Sequence, residues 1–357
     1  MARNMFAFIA LLLAAYASAS RAQTSNLDQS SATSSAIALP GDPSDLMKLV
    51  AQENGLTSPH MKPWHLKAIY ETFDNVGQPK ERGTFEEWWS TPAKHKTVYA
   101  SPHFNQIQYS TGDDTFWVGE TKWPPSPLEM VPQYLVDPSF LPDSVASGKF
   151  INADTKISGV SLKCLHPVDG QKNPLTSTPI LFPAFCIGKD LPALRLEANR
   201  FEVFAIFDSI VRFQGQYVAR QIQVRQQSKP ILNIDLLTLE TIDGINDADF
   251  TPPRDATLAP RRVAGNVIEG NRIEGASPVY PELAGKAGIQ GVVVLEGTVT
   301  PTGMITDLRV LSGPSILQSA ALDAVKTWRY KPFLLNGQPV AVTAEIDVYF
   351  RIPTRRY

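Results

Sequence analysis

The residues that could perform chemistry in this chain of 357 residues are scattered rather than grouped. None of the histidines forms a helical i, i+4 pair or an H-E-x-x-H motif, the spacings used by many zinc sites. They are His60, His65, His95, His103 and His166. Carboxylates stand side by side at Glu86-Glu87 and Asp113-Asp114, but neighbours in a strand point to opposite faces of a sheet. We therefore expect no enzymatic activity, no metal and no other cofactor.

The two cysteines, Cys164 and Cys186, are suited to a covalent role. The segment between them is rich in proline and contains Asp169-Gly170, which is typical of two strand ends joined by a loop with many turns. There is no C-x-x-C pair, and His166 is the histidine nearby. We predict a structural disulfide between these cysteines, with a redox or metal role as the alternative.

Composition indicates an ordinary folded chain without an overall charge signature. It has 33 basic and 35 acidic residues, a formal net charge of −2, and 43% apolar residues. This balance excludes an overall nucleic-acid-binding signature and provides enough apolar residues for normal cores. The 29 prolines favour short strands separated by turns over long helices.

Residues 1–22 have the pattern of an export signal. Arg3 precedes an apolar run from Met5 to Ala15, and small residues follow at Ala17-Ser18-Ala19 and Ser20-Arg21-Ala22. The run is shorter than the roughly 20 residues that span a bilayer. We expect cleavage and export, with an uncleaved, inner-membrane-associated segment as the alternative. Residues 23–44, rich in Ser and Thr, are predicted to form a flexible leader.

A β-rich domain with one disulfide is predicted over residues 45–250. Asp42 or Ser44 is placed to cap a short helix from Asp45 to Glu53. From Trp64 onward, short runs alternate between apolar and polar residues and are separated by turn signals. The clearest runs are His65–Phe73, Gly83–Ser90, Lys96–Ser101, Asn105–Ser110, Thr115–Glu120, Tyr217–Gln226 and Ile231–Ile242. They predict a large curved antiparallel sheet with little helix.

Residues 251–275 are predicted to be a linker. Thr251-Pro252-Pro253-Arg254 and Ala259-Pro260-Arg261-Arg262 lack a hydrophobic period. Arg261-Arg262 is a local basic spot, for which the sequence permits two interpretations. It is solvated surface, or it docks to an acidic partner or to the cell-wall polymer.

The last segment, residues 276–357, predicts a small β-β-α-β module, so the whole chain is α+β. A strand from Ile289 to Thr300, a Pro301-Thr302-Gly303 turn and a second strand precede an Ala-rich amphipathic helix. In the final strand, Val340 to Phe350, the apolar side chains alternate with polar ones. The polar set is Thr343, Glu345, Asp347 and Arg351. Such a small sheet must leave strand edges open.

The motifs of this module identify a resemblance. Pro278-x-Tyr280-Pro281-x-x-Ala284, Gly291-x-Val293, Pro301-x-Gly303, Ala320-Ala321-Leu322-x-Ala324-Val325-x-x-Trp328-Arg329-Tyr330-x-Pro332 and Gly337-x-Pro339-Val340 occur in this order. Together they resemble the C-terminal domain of TonB family proteins, over about a fifth of the chain. The family links an inner-membrane motor to outer-membrane receptors, and its C-terminal domain captures an extended receptor segment by strand addition.

The resemblance implies a periplasmic protein-binding adaptor linked to transmembrane transport. The final strand would be the receiving edge, and Tyr280-Pro281 would lie near the captured segment. The implied partner-binding residues are Tyr280, Pro281, Val340, Val342, Thr343, Glu345, Asp347 and Tyr349. The implied partner is an outer-membrane receptor or another envelope protein, while peptidoglycan, lipid and a homodimer remain open.

The chain also departs from the family pattern. Its N-terminal apolar run is short and lacks histidine, and a β domain replaces the long Pro-rich spacer, which argues against coupling to a proton-driven motor. In shape, the β domain is similar to the half-barrels of periplasmic lipoprotein carriers. Its aromatic residues would then line an acyl pocket, or else they form core and strand pairs: Phe85, Trp88, Trp89, Tyr99, Phe104, Tyr109, Phe116, Trp117 and Trp123. The alternative function is therefore a lipid or lipoprotein-binding carrier.

Overall fold

The structure is a computed structural model and describes residues 39–138, 148–157, 160–168, 171–172, 181–199, 203–226 and 229–352. The predicted signal peptide, residues 1–22, and most of the predicted leader lie outside these residues. In the described part of the chain, strands dominate and the few helices are short.

The first half of the described chain contains fifteen strands, and some of them, such as β1 and β2, show the predicted alternation. The first five are β1 (Trp64–Phe73), β2 (Pro79–Thr91), β3 (Lys94–Ala100), β4 (Asn105–Thr111) and β5 (Asp114–Gly119). The next group is β6 (Phe150–Ile157), β7 (Val160–Pro167), β8 (Gln171–Lys172), β9 (Leu181–Phe182), β10 (Ala184–Gly188) and β11 (Leu194–Ala198). The last are β12 (Val203–Phe213), β13 (Gln216–Gln226), β14 (Lys229–Thr241) and β15 (Thr257–Leu258).

All but β8 and β9 join one antiparallel sheet of 13 strands, in the order β15-β5-β4-β3-β2-β1-β14-β13-β12-β11-β10-β7-β6. Alternation along β1 explains its packing, since Trp64, Leu66 and Ala68 are buried whereas His65 and Lys67 face the other side. The large antiparallel sheet predicted from the sequence is therefore present.

Two helices cover the buried face of this sheet. They are α1 (Pro43–Glu53) and α2 (Ser126–Leu135). Asp42 caps α1, because its Oδ1 accepts hydrogen bonds from the backbone N–H groups of Ser44 and Asp45 at 2.9 and 3.0 Å. The apolar side of each helix joins the same core as the sheet, and on α2 the ring of Tyr134 packs edge-on against Phe207.

The disulfide lies in a smaller cluster of buried side chains. Cys164 on β7 stands directly opposite Cys186 on β10, and the two sulfurs are bonded, as predicted. The surrounding buried residues are Leu162, Ala184, Leu196 and Ala198. The bond therefore joins neighbouring strands within an apolar environment.

The remaining elements belong to the second half of the structure. They are β16 (Arg261–Arg262), α3 (Gly265–Gly270), β17 (Arg272–Glu274), α4 (Glu282–Lys286), β18 (Gly291–Val299), β19 (Ile305–Ser312), α5 (Ser315–Val325), β20 (Arg329–Tyr330), β21 (Phe333–Leu335), β22 (Gln338–Val340) and β23 (Val342–Phe350). One sheet has the order β16-β23-β18-β19. Helix α5 packs Leu317, Ala321 and Val325 into a core shared with β18 and β23.

Residues 251–275, expected to be a linker, pair with both halves of the molecule. Strand β15 pairs with β5, and β16 pairs with β23. Ala259 and Ile268 are buried. Short strands of two residues need no hydrophobic period, which is why the sequence pattern did not reveal them.

The disulfide should contribute measurably to stability. By the chain-entropy model, closing a loop with a sequence separation of 22 stabilises the fold by about 3 kcal/mol. Replacing Cys164 and Cys186 together by alanine should lower the free energy of unfolding by that amount in urea titrations. Reduced wild-type protein should match the variant. Two free thiols in denatured, unreduced protein would contradict the bond.

A buried carboxyl on β2 should make stability depend on pH. Glu87 is 4% exposed, and burial raises its pKa to about 8. The unfolded chain releases this proton near its ordinary value of 4.5, so the folded state retains it over a wider pH range. The contribution of Glu87 is complete below about pH 4.5 and is lost as the pH rises towards 8, at up to about 1.4 kcal/mol per pH unit.

We therefore expect Glu87→Gln to be more stable than wild type at pH 9, with a smaller difference at pH 5, in chemical unfolding followed by circular dichroism. Asp113→Asn, in an exposed turn, removes the same charge and serves as the matched control. If the free energy of unfolding of Glu87→Gln varied with pH as that of the wild type does, this carboxyl would not be the cause of the pH dependence.

Candidate functional site

Strand β23 lies inside its sheet but is paired very unequally on its two sides. On one side it pairs with β18 along its whole length, from Val342 opposite Val299 to Phe350 opposite Gly291. On the other side, here called the outer edge, it pairs in parallel with β16, and this pairing ends where Arg262 stands opposite Thr343. The outer edge is therefore the side of β23 on which a further strand could be added.

The backbone of four predicted residues points towards the outer edge. The carbonyl oxygen of Thr343 accepts a hydrogen bond of 2.9 Å from the backbone N–H of Val263. In an antiparallel pair, successive residues direct their N–H and C=O groups to alternate sides, and the register with β18 is unbroken. The groups that share the direction of Thr343 are those of Glu345, Asp347 and Tyr349.

The side chains of this set differ in exposure. Thr343 is 1% exposed, although it belongs to the polar set, because its hydroxyl lies 3.0 Å from that of Thr298 and accepts from Trp123 Nε1 at 3.3 Å. Asp347 is half-buried and its Oδ2 accepts from the hydroxyl of Tyr349 at 3.2 Å, while Tyr349 is 50% exposed. The exposed side chains of this set are thus Glu345 and Tyr349, and helix α3 packs against the same strand.

Val340 and Val342 serve packing instead. Val342 is buried, and its backbone faces β18 rather than the outer edge. Val340 stands opposite Phe333 in the hairpin of β21 and β22 and packs partly against the module core. The structure does not bring the backbone of Val340 to the outer edge, and Val342 stands opposite Arg261 there while directing its own N–H and C=O groups to β18.

Tyr280 and Pro281 lie at the far end of β23. Pro281 precedes α4, and the hydroxyl of Tyr280 donates to the carbonyl oxygen of Ile289 at 2.5 Å. The Tyr280 ring meets Phe350 edge-on, with 5.6 Å between ring centroids. Tyr280 therefore lies at the Phe350 end of β23, and Pro281 follows it in the chain.

A cluster of four alternating charges lies where the two halves of the molecule meet. Its members are Glu129 on α2, Arg262 on β16, Glu296 on β18 and Arg309 on β19. Arg262 and Arg309 each contact both glutamates; Arg262 Nη1 lies 3.0 Å and Arg309 Nη2 lies 2.6 Å from Glu296. Burial raises the pKa of Glu129, while the two arginines oppose that rise. We call this group the charge cluster.

Further contacts fix the linker beside the charge cluster. Asp114 Oδ1 accepts from both Nε and Nη2 of Arg261, at 3.1 and 2.8 Å. The Arg262 guanidinium lies over the ring of Trp123, 4.3 Å from its centroid. The basic spot at Arg261-Arg262 is therefore paired within the chain, while both side chains remain partly exposed.

A cavity of about 410 Å³ opens between the two halves. Tyr99, Trp123, Glu129 and Met130 of the first half line it, opposite residues of the module such as Leu311. Of the nine aromatic residues considered for an acyl pocket, Tyr99 and Trp123 line this cavity. Others are core residues, such as Phe85 and Trp89, while Trp88 stacks with His65 on the opposite face.

The sequence did not reveal the charge cluster, because its members are brought together from four separate elements. One local signal was present: Glu296 is an acidic residue inside the apolar run of β18, and its 4% exposure requires a partner. The described residues contain no group of three His, Cys, Asp or Glu side chains that could hold a metal ion. Among the same residues, no helix is long and apolar enough to cross a membrane.

Comparisons with known proteins agree with the C-terminal geometry. Residues 276–352 match the family described as Gram-negative bacterial TonB protein C-terminal. Protein TonB of Vibrio cholerae is 36% identical over 77 residues, which cover 21% of this chain and 32% of that protein. The chain spans between 24% and 34% of the length of the curated TonB proteins that it matches.

Two solved structures are also similar. The TonB C-terminal domain of Pseudomonas aeruginosa is 32% identical, with a TM-score of 0.21, covering 24% of this chain and 88% of that chain. A LolA superfamily protein from Nitrosomonas europaea is 10% identical, with a TM-score of 0.38, covering 59% and 98%. The family match and the sequence identity thus place the resemblance to the TonB C-terminal domain at residues 276–352.

Proposed function

We propose that this protein is a periplasmic adaptor of the TonB family that captures an extended segment of an outer-membrane receptor or another envelope protein. Capture takes place by strand addition to the outer edge of β23 and is linked to transmembrane transport. The protein acts by binding and not as an enzyme. A cleaved signal peptide over residues 1–22 exports the chain.

The pairing of β23 carries this proposal. Its strand partner on the outer edge, β16, stops opposite Thr343, whereas β23 continues to Phe350. An added strand would receive main-chain hydrogen bonds from the positions that share the outward direction, with Asp347 at their centre. Tyr280 and Pro281, at the Phe350 end, would contact the end of the same segment.

We also propose that residues 45–250 and 276–357 are two domains joined by residues 251–275. The two larger clusters of buried apolar side chains support this division. One extends from Leu46 to Leu239 and the other from Ile268 to Phe350. In this arrangement the first domain holds the binding module and its linker in place.

The cavity between the domains favours a second candidate, a carrier of lipid or lipoprotein that uses the N-terminal β domain as a half-barrel. Its volume of about 410 Å³ lies within the range of small-molecule sites, and Trp123, Met130 and Leu311 provide apolar surface. Mass spectrometry of gently purified protein distinguishes the two: a stoichiometric acyl ligand favours the carrier, and its absence together with edge-dependent receptor capture favours the adaptor.

The adaptor proposal predicts that Asp347→Pro weakens partner capture. Proline removes an N–H that faces the outer edge, and its ring obstructs an incoming strand, while the ladder with β18 uses the neighbouring residues. We expect at least a tenfold loss, consistent with a hydrogen bond worth about 1 kcal/mol plus steric exclusion. Immobilised protein should retain correspondingly less receptor from detergent-solubilised outer membranes.

Two variants control this experiment. Asp347→Ala keeps the backbone N–H and should bind within about twofold of wild type, since only a side chain at the half-buried position changes. Val348→Pro removes a group directed at β18 and should unfold the module, which circular dichroism detects. If folded Asp347→Pro still retained receptor as wild type does, capture at this edge would be wrong.

A further inference from the structure

The outer edge of β23 already has an occupant from the same chain. Strand β16 pairs with Val342 and Thr343, and the N–H of Val263 continues the pairing by donating to Thr343. The chain then stays close to the edge: a Cβ added to Gly265 would lie 3.0 Å from the carbonyl oxygen of Glu345. The linker therefore covers the first half of the edge that a partner would use.

Residues of the N-terminal domain hold this occupant in place. Asp114 accepts two hydrogen bonds from Arg261, and Glu129 forms an ion pair with Arg262. Trp123 touches both sides, because its ring lies under Arg262 while its Nε1 donates to the hydroxyl of Thr343. We call Asp114, Trp123 and Glu129 the anchor residues.

The attachment is weak enough to be reversed. A paired strand of two residues is far shorter than the five or six residues typical of a sheet strand. The side chains of Arg261 and Arg262 are 35% and 45% exposed, and partly exposed ion pairs contribute little to stability. Arg262 also pairs with the buried Glu296, but that carboxylate keeps Arg309 as a partner when Arg262 leaves. A longer incoming strand would form more main-chain hydrogen bonds than the occupant does.

From these observations we propose that residues Arg261–Val263 are a removable internal occupant of the capture edge, held there by the anchor residues of the N-terminal domain. The N-terminal domain thereby regulates access of a partner to β23. This inference rests on the proposed function for its physiological meaning. The occupancy itself is testable without any natural partner, because the linker supplies the sequence of a probe.

The probe is a fluorescently labelled synthetic peptide with the sequence of residues 257–266. Added to the full mature protein, it should bind poorly, because the edge is already occupied. It should bind at least tenfold more tightly to the double variant Arg261→Ala/Arg262→Ala, whose own linker has lost its anchors. Fluorescence anisotropy measures both affinities.

Two controls make the result specific. Arg254→Ala/Lys326→Ala removes the same charge at exposed positions and should behave as wild type. A peptide carrying V263P lacks the N–H that reaches Thr343 and should not bind the double variant, which separates edge pairing from attraction of arginines to carboxylates. The proposal would be overturned if the unmodified peptide bound the folded wild type and the folded double variant equally. It would also be overturned if the unmodified and V263P peptides bound the double variant equally.

Glu129→Gln provides an independent test if the double variant does not fold. It changes the N-terminal domain alone, and hydrogen exchange at the Val263 amide should become faster than in wild type. Unchanged exchange would also overturn the proposal. If the peptide results hold while Asp347→Pro leaves receptor capture intact, the proposed function fails and the occupancy stands. If the peptide results fail while Asp347→Pro abolishes receptor capture, only the internal occupancy is wrong and the proposed function stands.

Discussion

The backbone groups at the edge of a strand need hydrogen-bond partners, and the arrangement of the second half of the chain follows from this constraint. A small sheet backed mainly by one helix cannot close on itself, so its outer strands must be covered or left open. On β19, Arg309 reaches across to the first half, where its Nη1 donates to the carbonyl oxygen of Pro124 at 2.5 Å. On β23, the chain's own linker meets the edge at Val342 and Thr343. Both contacts draw the module against the N-terminal domain.

The charge cluster gives that contact a single geometry. Two buried or half-buried glutamates would be costly alone, and two arginines bring them to electrical balance. Glu296 receives Arg262 on one oxygen and Arg309 on the other, so its position on β18 fixes both guanidinium groups. Glu129 then ties the same arginines to α2. Because each member has two partners of opposite sign, the alternating charges favour one register of the interface, and each glutamate keeps Arg309 as a partner when Arg262 is displaced.

Features that depend on local pattern were predictable from the sequence, and features that depend on long-range register were not. Strands β1 to β5, β13 and β14 of the large sheet, the cap at Asp42 and the disulfide follow from alternation, short polar side chains and cysteine spacing. The resemblance to the TonB family located the C-terminal domain. The charge cluster combines residues from positions 129, 262, 296 and 309, and no local rule relates them. Burial of Thr343 has the same origin, because Trp123 covers it from 220 residues away in the chain.

The limits of the family match also define what is particular to this chain. The matched region begins at residue 276, whereas the pairing on the outer edge comes from Arg261 and Arg262. The groups that hold those arginines, Asp114 and Glu129, lie further towards the N-terminus. In the proposed function, the matched region therefore contains the strand that receives a partner but not the residues that compete for that strand. Under the two proposals together, the free energy of partner binding in the whole protein equals the difference between two strand additions, one from the partner and one from the linker, and residues 45–250 act on the second.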